Sequence, residues 1–211
     1  MDIIKSISEN LISGNDRAVA AATQNALDAD IPAEKILNEG LISGMNTVGD
    51  KFRDHEIFLP DVLMAARAMY AGMELLKPIL VQSGITSRGK VVIGTIQGDL
   101  HDIGKNLVGI MLKGAGYEVI DLGHDVLPEK FVEAAKETGA TIIGMSALLT
   151  TTMANMKAVI DILKKENLQG KIKTIIGGAP ISEHYAAEIG ADRYSFDAGN
   201  AVDTVNELLG K

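Results

Sequence analysis

The chain of 211 residues contains no cysteine and no tryptophan, and aromatic residues make up only 4% of it. Without thiols, the protein cannot form disulfides, iron–sulfur clusters or thiolate metal sites. No apolar run approaches the roughly 20 residues that a membrane-spanning helix needs. The first five residues also lack the basic and then apolar layout of a signal peptide. We therefore expect a cytoplasmic protein that has no membrane partner.

Positive charge is scarce as well. Lysine and arginine number 20 against 28 aspartates and glutamates, which gives a formal net charge of −8. A surface that binds nucleic acid needs clustered lysine and arginine side chains. This composition predicts that nucleic acid is not a partner.

The hydrophobic pattern changes its period along the chain. Residues 1–85 carry four apolar stripes at helical spacing with short breaks between them, which predicts a four-helix bundle. From residue 90, strand-like apolar runs alternate with helical stretches. The runs lie at 91–96, 117–122, 141–146, 173–177 and 192–196, and the helical stretches at 103–114, 128–138, 153–166, 182–189 and 199–209. Such alternation predicts an α/β domain with a five-stranded parallel, doubly wound, flavodoxin-like sheet.

A short polar stretch separates the two patterns. Residues 84–89 are bounded by glycine and carry hydroxyl groups, which is typical of a linker. We predict a helical domain at 1–85, a linker at 86–89 and an α/β domain at 90–211.

The turn after the first predicted strand holds the most informative residues. It contains Gln97, Gly98, Asp99, Leu100, His101, Asp102, Ile103 and Gly104. Open α/β folds bind ligands at the carboxyl edge of the sheet, where this turn is expected. The imidazole of His101 can ligate a metal through one ring nitrogen and donate to Asp99 through the other. This turn is therefore a candidate metal or cofactor site.

Two further predicted turns carry unusual residues. The third strand is followed by a hydroxyl-rich segment, and the fourth ends in two glycines. The residues concerned are Ser146, Leu148, Thr150, Thr152, Gly177 and Gly178. The turns after neighbouring parallel strands converge in space. Small residues at Gly94, Ser146, Gly177 and Gly178 thus predict a slot for an elongated ligand.

Each feature also has an ordinary explanation. A lone histidine in such a turn is more often a helix-capping or surface residue than a ligand. Asp102 could cap the following helix, and paired glycines commonly form tight turns. The joint placement of all three turns at neighbouring strand ends favours a binding site.

The spacing Asp-x-His-x-x-Gly, then Ser-x-Leu, then Gly-Gly resembles the vitamin B12-binding signature. It is similar to the cobalamin module of methionine synthase and to corrinoid proteins of methyltransferase systems. The matching residues are Asp99, His101, Gly104, Ser146, Leu148, Gly177 and Gly178. The segment 49–62 resembles the helical cap over the upper face of the cofactor in that family. The resemblance therefore covers nearly the whole chain.

This resemblance implies a bound cobalamin, a cobalt corrinoid, whose nucleotide tail leaves the cobalt and is buried beside the sheet. His101 matches the lower axial ligand of the cobalt, with Asp99 accepting the second ring N–H and Thr152 extending the relay. Several other residues match cofactor-binding positions. They are Gln97, Gly98, Asp102, Ile103 and Gly104 around the histidine; Ser146, Leu148, Thr150, Gly177 and Gly178 along the tail; Asp197 and Ala198 near its end; and Phe52 and Leu59 in the cap. We expect Gly178→Val to block cobalamin uptake and leave the fold largely intact.

The resemblance also implies a function. The chain would carry a methyl group between a substrate-specific methyltransferase and a second methyltransferase that acts on tetrahydrofolate or a thiol. A corrinoid reductive activase is a further candidate partner, and the chain would not run a complete reaction alone. The donor stays open among methylamines, methanol, methoxylated aromatics and betaines. One alternative is a cobalamin-dependent sensor or regulator; another is a receiver domain that holds Mg²⁺ on Asp99 and Asp102.

Overall fold

The computed structural model describes residues 2–83 and 87–210. The described chain forms two compact units. The first contains the residues up to Ser87 together with Gly114–Gly116, and the second contains Arg88–Lys113 and the residues from Tyr117 onwards. The predicted linker at 86–89 falls partly on residues 84–86, which lie outside the described residues, so the domain boundaries stay a prediction.

The first unit is helical. Its elements are α1 (Ile3–Ile12), α2 (Asp16–Asp28), α3 (Ala33–Lys35), a π-helical segment (Ile36–Ile42), α4 (Ser43–Arg53) and α5 (Leu59–Gln82). The side chains of Asp2 and Asn15 accept hydrogen bonds from free N–H groups in the first turns of α1 and α2, which fixes where both helices begin. α3, the π-helical segment and α4 follow one another without a break, so the described residues form four helical rods.

Apolar side chains on one face of each rod form the core of this unit. α2 packs against α1 and α5, and α1 packs against α4. Fully buried residues include Ile7, Leu11, Val19, Leu41 and Leu76. Their helical spacing is the reason that the sequence pattern identifies a bundle. Within the described residues, no helix is both long and apolar enough to cross a membrane.

The second unit is a sheet with helices between its strands. The strands are β1 (Lys90–Thr95), β2 (Glu118–Asp121), β3 (Ile142–Ser146), β4 (Lys173–Gly177) and β5 (Arg193–Ser195). The helices are α6 (Ile103–Gly114), α7 (Pro128–Thr138), α8 (Ala154–Lys165), α9 (Glu183–Ile189) and α10 (Ala198–Leu208). All strand pairs are parallel and the order is β2-β1-β3-β4-β5. This confirms the predicted doubly wound, flavodoxin-like fold.

The core of the sheet explains one glycine that the sequence analysis assigned to a ligand slot. A Cβ at Gly94 in β1 would lie 2.7 Å from the ring of Phe131 in α7, which is fully buried. The missing side chain at Gly94 therefore makes room for Phe131 in the protein's own core. The assignment of Gly94 to a ligand slot is wrong.

The strand register places the site. Thr95 at the end of β1 pairs with Ser146 at the end of β3, Ser146 pairs with Gly177, and Gly177 pairs with Ser195. The loops that follow these four strands consequently start side by side at the carboxyl edge of the sheet. Strand order reverses between β1 and β3, and such a switch point is where doubly wound sheets bind ligands.

Candidate functional site

A tight turn directs the loop after β1. The N–H of Asp99 donates to the carbonyl of Ile96 at 3.1 Å, and Gly98 has a φ of +85°. Gln97, the other central residue, is not among the residues with positive φ. These are the features of a type II turn, which requires a left-handed residue at its third position and so favours glycine there. The turn delivers Asp99 into the interior and leaves the following residues at the edge.

The carboxylate of Asp99 is fully buried and accepts five hydrogen bonds. Oδ1 accepts from the backbone N–H of His101 at 3.0 Å and lies 2.7 Å from Nδ1 of the same residue. Oδ2 accepts from the N–H groups of Leu148 and Leu149 at 2.7 and 3.0 Å, and from the hydroxyl of Thr152 at 3.2 Å. The carboxylate therefore joins the loop after β1 to the loop after β3.

These contacts decide the charge of Asp99. Burial alone would raise the pKa of the carboxyl, because desolvation disfavours its charged form. The hydrogen bonds from the N–H groups of His101, Leu148 and Leu149 and from the imidazole outweigh burial and hold the pKa of Asp99 well below its usual range. Asp99 is thus an anion that accepts the proton on Nδ1 of His101.

The opposite nitrogen of His101 is available to a ligand. The side chain of His101 is 54% exposed. Among the residues that the structure describes, no group forms a hydrogen bond with its Nε2. With the proton on Nδ1, the neutral ring carries a lone pair on Nε2, which is the arrangement found in metal-ligating histidines that have a carboxylate partner.

A single imidazole does not hold a free metal ion. The described residues contain no group of three or more His, Cys, Asp or Glu side chains that could bind one. The donor set consequently fits a metal that brings its remaining ligands with it, as a metal in a macrocycle does. It does not support a receiver domain, because Mg²⁺ needs several oxygen ligands and both oxygens of Asp99 already accept hydrogen bonds.

Exposed apolar side chains, here called the apolar rim, lie along the same edge of the sheet as His101. Every exposed large apolar side chain in the described part of the second unit lies in a loop after a strand or in the first residue of α6. These are Leu100, Ile103, Leu127, Leu148, Leu149 and Phe196, of which Phe196 is 77% exposed. Exposed apolar clusters of this kind mark binding surfaces. A Cβ at Gly104 would meet nothing within 4 Å, so this side of the rim is open. A large group with apolar faces fits here.

The remaining residues of the first turn frame His101. The hydroxyl of Thr95 donates to the carbonyl of His101 at 3.0 Å, which fixes the backbone of the histidine. The carbonyl of Asp102 accepts from the N–H of Asn106 at 2.8 Å, and this is the first hydrogen bond of α6. Gln97 and Gly98 form the turn, and Ile103 and Gly104 are exposed beside His101.

The two glycines at the end of β4, Gly177 in the strand and Gly178 directly after it, allow close packing of the backbone. Gly178 has a φ of +128°, and a Cβ there would lie 1.9 Å from the carbonyl oxygen of Ala147. A Cβ at Gly177 would lie 3.0 Å from the carbonyl oxygen of Ser195. Close packing of the strand ends therefore requires both glycines. The expectation that Gly178→Val leaves the fold intact is wrong, since the substitution collides with the backbone whether or not a ligand is present.

Other predicted residues lie farther along the edge. Asp197 caps α10 by accepting from the N–H of Asn200 at 2.8 Å, and Ala198 is the buried first residue of that helix. Ser146 ends β3 and is half-buried, and Thr150 is exposed in the loop that follows.

The two predicted cap residues belong to the first unit. Phe52 lies in α4 and Leu59 begins α5, and both are half-buried, on either side of the turn at residues 54–58. Their role toward a cofactor stays a prediction.

Two residues that the sequence analysis did not single out also hold the first turn. The carboxylate of Asp125, in the loop after β2, accepts from the N–H of Gly98 at 2.7 Å. The side-chain amide of Asn155, in α8, donates to the carbonyl of Gln97 at 2.9 Å. A polar residue in the loop after a strand was the only available signal for Asp125, and nothing marked Asn155.

Comparisons with known proteins identify the family. The B12 binding domain family matches residues 89–208, and a second B12 binding domain family matches residues 3–77. A corrinoid protein of Desulfitobacterium hafniense (strain Y51) is 44% identical over 214 residues, covering 100% of this chain and 99% of its own. Dimethylamine corrinoid protein 2 of Methanosarcina mazei is 45% identical over 209 residues, covering 99% of this chain and 97% of its own.

A solved structure agrees with these matches. The methanol:cobalamin methyltransferase complex of Methanosarcina barkeri contains a chain that aligns with a TM-score of 0.88 at 31% identity, covering 100% of this chain and 81% of that one. The buried carboxylate, the exposed imidazole and the apolar rim are consistent with the cofactor of this family. The chain therefore belongs to the B12-binding family, and cobalamin is its cofactor.

Proposed function

We propose that this protein is a methyl carrier that holds cobalamin with His101 as the lower axial ligand and with the nucleotide tail displaced from the cobalt. The observation that carries the proposal is the exposed side chain of His101, whose Nδ1 lies 2.7 Å from the buried anion of Asp99, with the apolar rim along the same edge of the sheet. When bound, cobalamin supplies a cobalt that takes up a methyl group in its reduced state and releases it to an acceptor.

The protein's own residues would set how that cobalt is ligated. Asp99 accepts the proton on Nδ1 and so favours the tautomer of the neutral His101 ring whose lone pair is on Nε2. The hydroxyl of Thr152 lies 2.9 Å from the carbonyl of Leu149 and 3.2 Å from Oδ2 of Asp99. Its single proton serves one acceptor at a time, so Thr152 can adjust how strongly Asp99 attracts the imidazole proton. The apolar rim would exclude water from the lower face.

The relatives support the choice of partners. Two of them are named as a dimethylamine corrinoid protein and as part of a methanol:cobalamin methyltransferase complex. In this proposal, a substrate-specific methyltransferase loads the carrier and a second methyltransferase transfers the methyl group to tetrahydrofolate or a thiol. A reductive activase, with an external electron donor, would return oxidised cobalt to its reduced state. Phe52 and Leu59 would shield the cofactor from solvent.

Ligation is tested by electron paramagnetic resonance of the protein loaded with Co(II) cobalamin. Protein labelled with ¹⁵N-histidine is expected to show an altered nitrogen splitting relative to unlabelled protein. The His101→Ala variant is expected to lose the splitting that depends on histidine. His184→Ala is the matched control, because His184 is exposed in α9. A nitrogen splitting that is the same with and without the histidine label would refute ligation by His101.

The carrier role needs a separate assay. The reduced, cobalamin-loaded protein is mixed with an isotope-labelled methyl donor, with and without a candidate methyltransferase, and then separated by gel filtration. Label is expected to elute with the protein only when the methyltransferase was present. Its release should then require a second methyltransferase and its acceptor. Rapid labelling by a physiological donor alone would contradict the carrier role, and failure with every candidate partner would favour the sensor.

A further inference from the structure

The peptide group between Gln97 and Gly98 is held from both sides by two different loops. Its carbonyl oxygen accepts from the side-chain amide of Asn155 at 2.9 Å. Its N–H donates to the carboxylate of Asp125 at 2.7 Å. The two side chains lie 58 and 27 residues away in sequence, and neither belongs to the Asp-x-His-x-x-Gly motif.

This peptide is the central one of the type II turn at residues 96–99. Type I and type II turns differ mainly in the orientation of that peptide, which is reversed between them. In the type I form, the carbonyl of Gln97 would point away from the amide of Asn155, and the N–H of Gly98 would point away from Asp125. Both hydrogen bonds thus form only with the type II turn.

We propose that Asp125 and Asn155 are positioning residues that select the type II turn and through it fix Asp99 and His101. Asp99 directly follows the held peptide, and from this turn its carboxylate lies 2.7 Å from Nδ1 of His101 and accepts from the N–H groups of Leu148 and Leu149 at 2.7 and 3.0 Å. The N–H of Asp125 also donates to the carbonyl of Asp99 at 3.0 Å. The inference rests on the proposed ligation by His101.

The backbone of Asp125 fits this role. Its φ is +54°, a left-handed value that aspartate, asparagine and glycine adopt far more readily than other residues. Asp125→Gly therefore removes the acceptor without forcing a new backbone conformation, and Asp125→Asn retains both an oxygen acceptor and the tolerance for this φ. Comparing these two variants separates the effect of the hydrogen bond to Gly98 from the effect of the backbone conformation at residue 125.

An isosteric change is available at Asn155 too. Asn155→Asp replaces the donating amide by an oxygen that faces the carbonyl of Gln97. Asn155 lies in the first turn of α8, where a carboxylate stabilises the helix. If this change disturbs the contacts of Asp99 or His101, a less stable helix α8 is consequently not the cause. Asp161→Asn, an exposed position on the same helix, is the control.

The first readout uses the protein without cofactor. Amide hydrogen exchange at Leu148 and Leu149 reports whether Asp99 still accepts their protons. We expect Asn155→Asp and Asp125→Gly to speed exchange about fivefold, the ratio that one lost hydrogen bond produces. Asp125→Asn and Asp161→Asn should stay at the rate of the parent.

The second readout is the nitrogen splitting of protein loaded with Co(II) cobalamin. Asn155→Asp and Asp125→Gly should lose a large part of the histidine-dependent splitting, and Asp125→Asn should keep it. Parent-like exchange in both disruptive variants would overturn the proposal. Faster exchange with unchanged splitting would overturn it as well, because the two residues would then act on the loop alone. If the parent itself lacks the splitting, the proposed ligation by His101 fails instead, and the exchange rates still show whether the turn is selected as proposed.

Discussion

Replacing Asp99 by asparagine changes one oxygen of a fully buried carboxylate into an N–H₂ group of the same shape. The asparagine oxygen can take the place of Oδ2 and keep the donors Leu148, Leu149 and Thr152. The N–H₂ group then faces Nδ1 and the backbone N–H of His101, where the carboxylate accepted both protons. The new amide cannot accept from either group.

Two consequences follow for the protein without cofactor. The backbone N–H of His101 loses its acceptor, and the hydrogen bonds that remain are no longer assisted by charge. An unpaired polar group costs about 1–3 kcal/mol, and a bond to a charged group contributes about 1.5–3 kcal/mol against about 1 for a neutral one. We expect Asp99→Asn to lower the free energy of unfolding by about 2–4 kcal/mol.

The imidazole responds to the same change. An amide that donates to Nδ1 favours the tautomer with its proton on Nε2, which removes the lone pair from the exposed nitrogen. The ¹⁵N chemical shifts of the His101 ring report the tautomer directly, and urea unfolding followed by circular dichroism gives the stability. Asp161→Asn, on the exposed face of α8, should change stability by less than about 0.5 kcal/mol. An unchanged tautomer together with a loss of unfolding free energy below about 1 kcal/mol would refute this prediction for Asp99→Asn.

Three further predictions concern single side chains. Thr152→Val should lower the free energy of unfolding by about 1–2 kcal/mol, because it removes the hydroxyl that reaches Asp99. Thr23→Val should raise it by about 1 kcal/mol, since the hydroxyl of Thr23 is fully buried without a partner among the described residues. Urea unfolding that ranks the two variants in the opposite order would contradict both. Gly178→Ala should destabilise by more than about 2 kcal/mol because of its φ and its contact with a backbone oxygen, and a fully stable variant would show that the strand ends can separate. Gly104→Ala should stabilise the cofactor-free protein by about 0.5–1 kcal/mol, because alanine favours the helix and its Cβ meets no atom, yet weaken cobalamin binding; equal affinity in a titration followed by absorbance would place the corrin elsewhere.

Much of the fold could be predicted because its signals are local. The alternation of apolar runs and helical stretches identified every strand of the second unit to within a few residues, and the period change at residue 90 separated it from the helices. The pairing of Asp99 with His101 was equally accessible, since the two residues are neighbours in one turn. A motif of this kind carries its own geometry.

The contacts between distant loops could not be read in the same way. Asn155 meets Gln97 across 58 positions, and the pairing exists only because β1 and β3 are adjacent in the sheet. Lys105 is another case: a lysine in the first turn of an amphipathic helix reads as exposed, yet its side chain is buried and pairs with Asp121 at the end of β2 at 2.6 Å. Such partners become visible only when the strand order is known.

Polar and apolar groups are treated differently at the sheet edge. The buried carboxylate of Asp99 is paired within the protein, because without hydrogen bonds it would destabilise the fold by several kcal/mol. The apolar side chains of Ile103 and Phe196 are left exposed, which costs each only about 1.5–3 kcal/mol. We propose that cobalamin covers these side chains when it binds. The binding energy should thus come mainly from the apolar rim, and the orientation of His101 is established before cobalamin arrives.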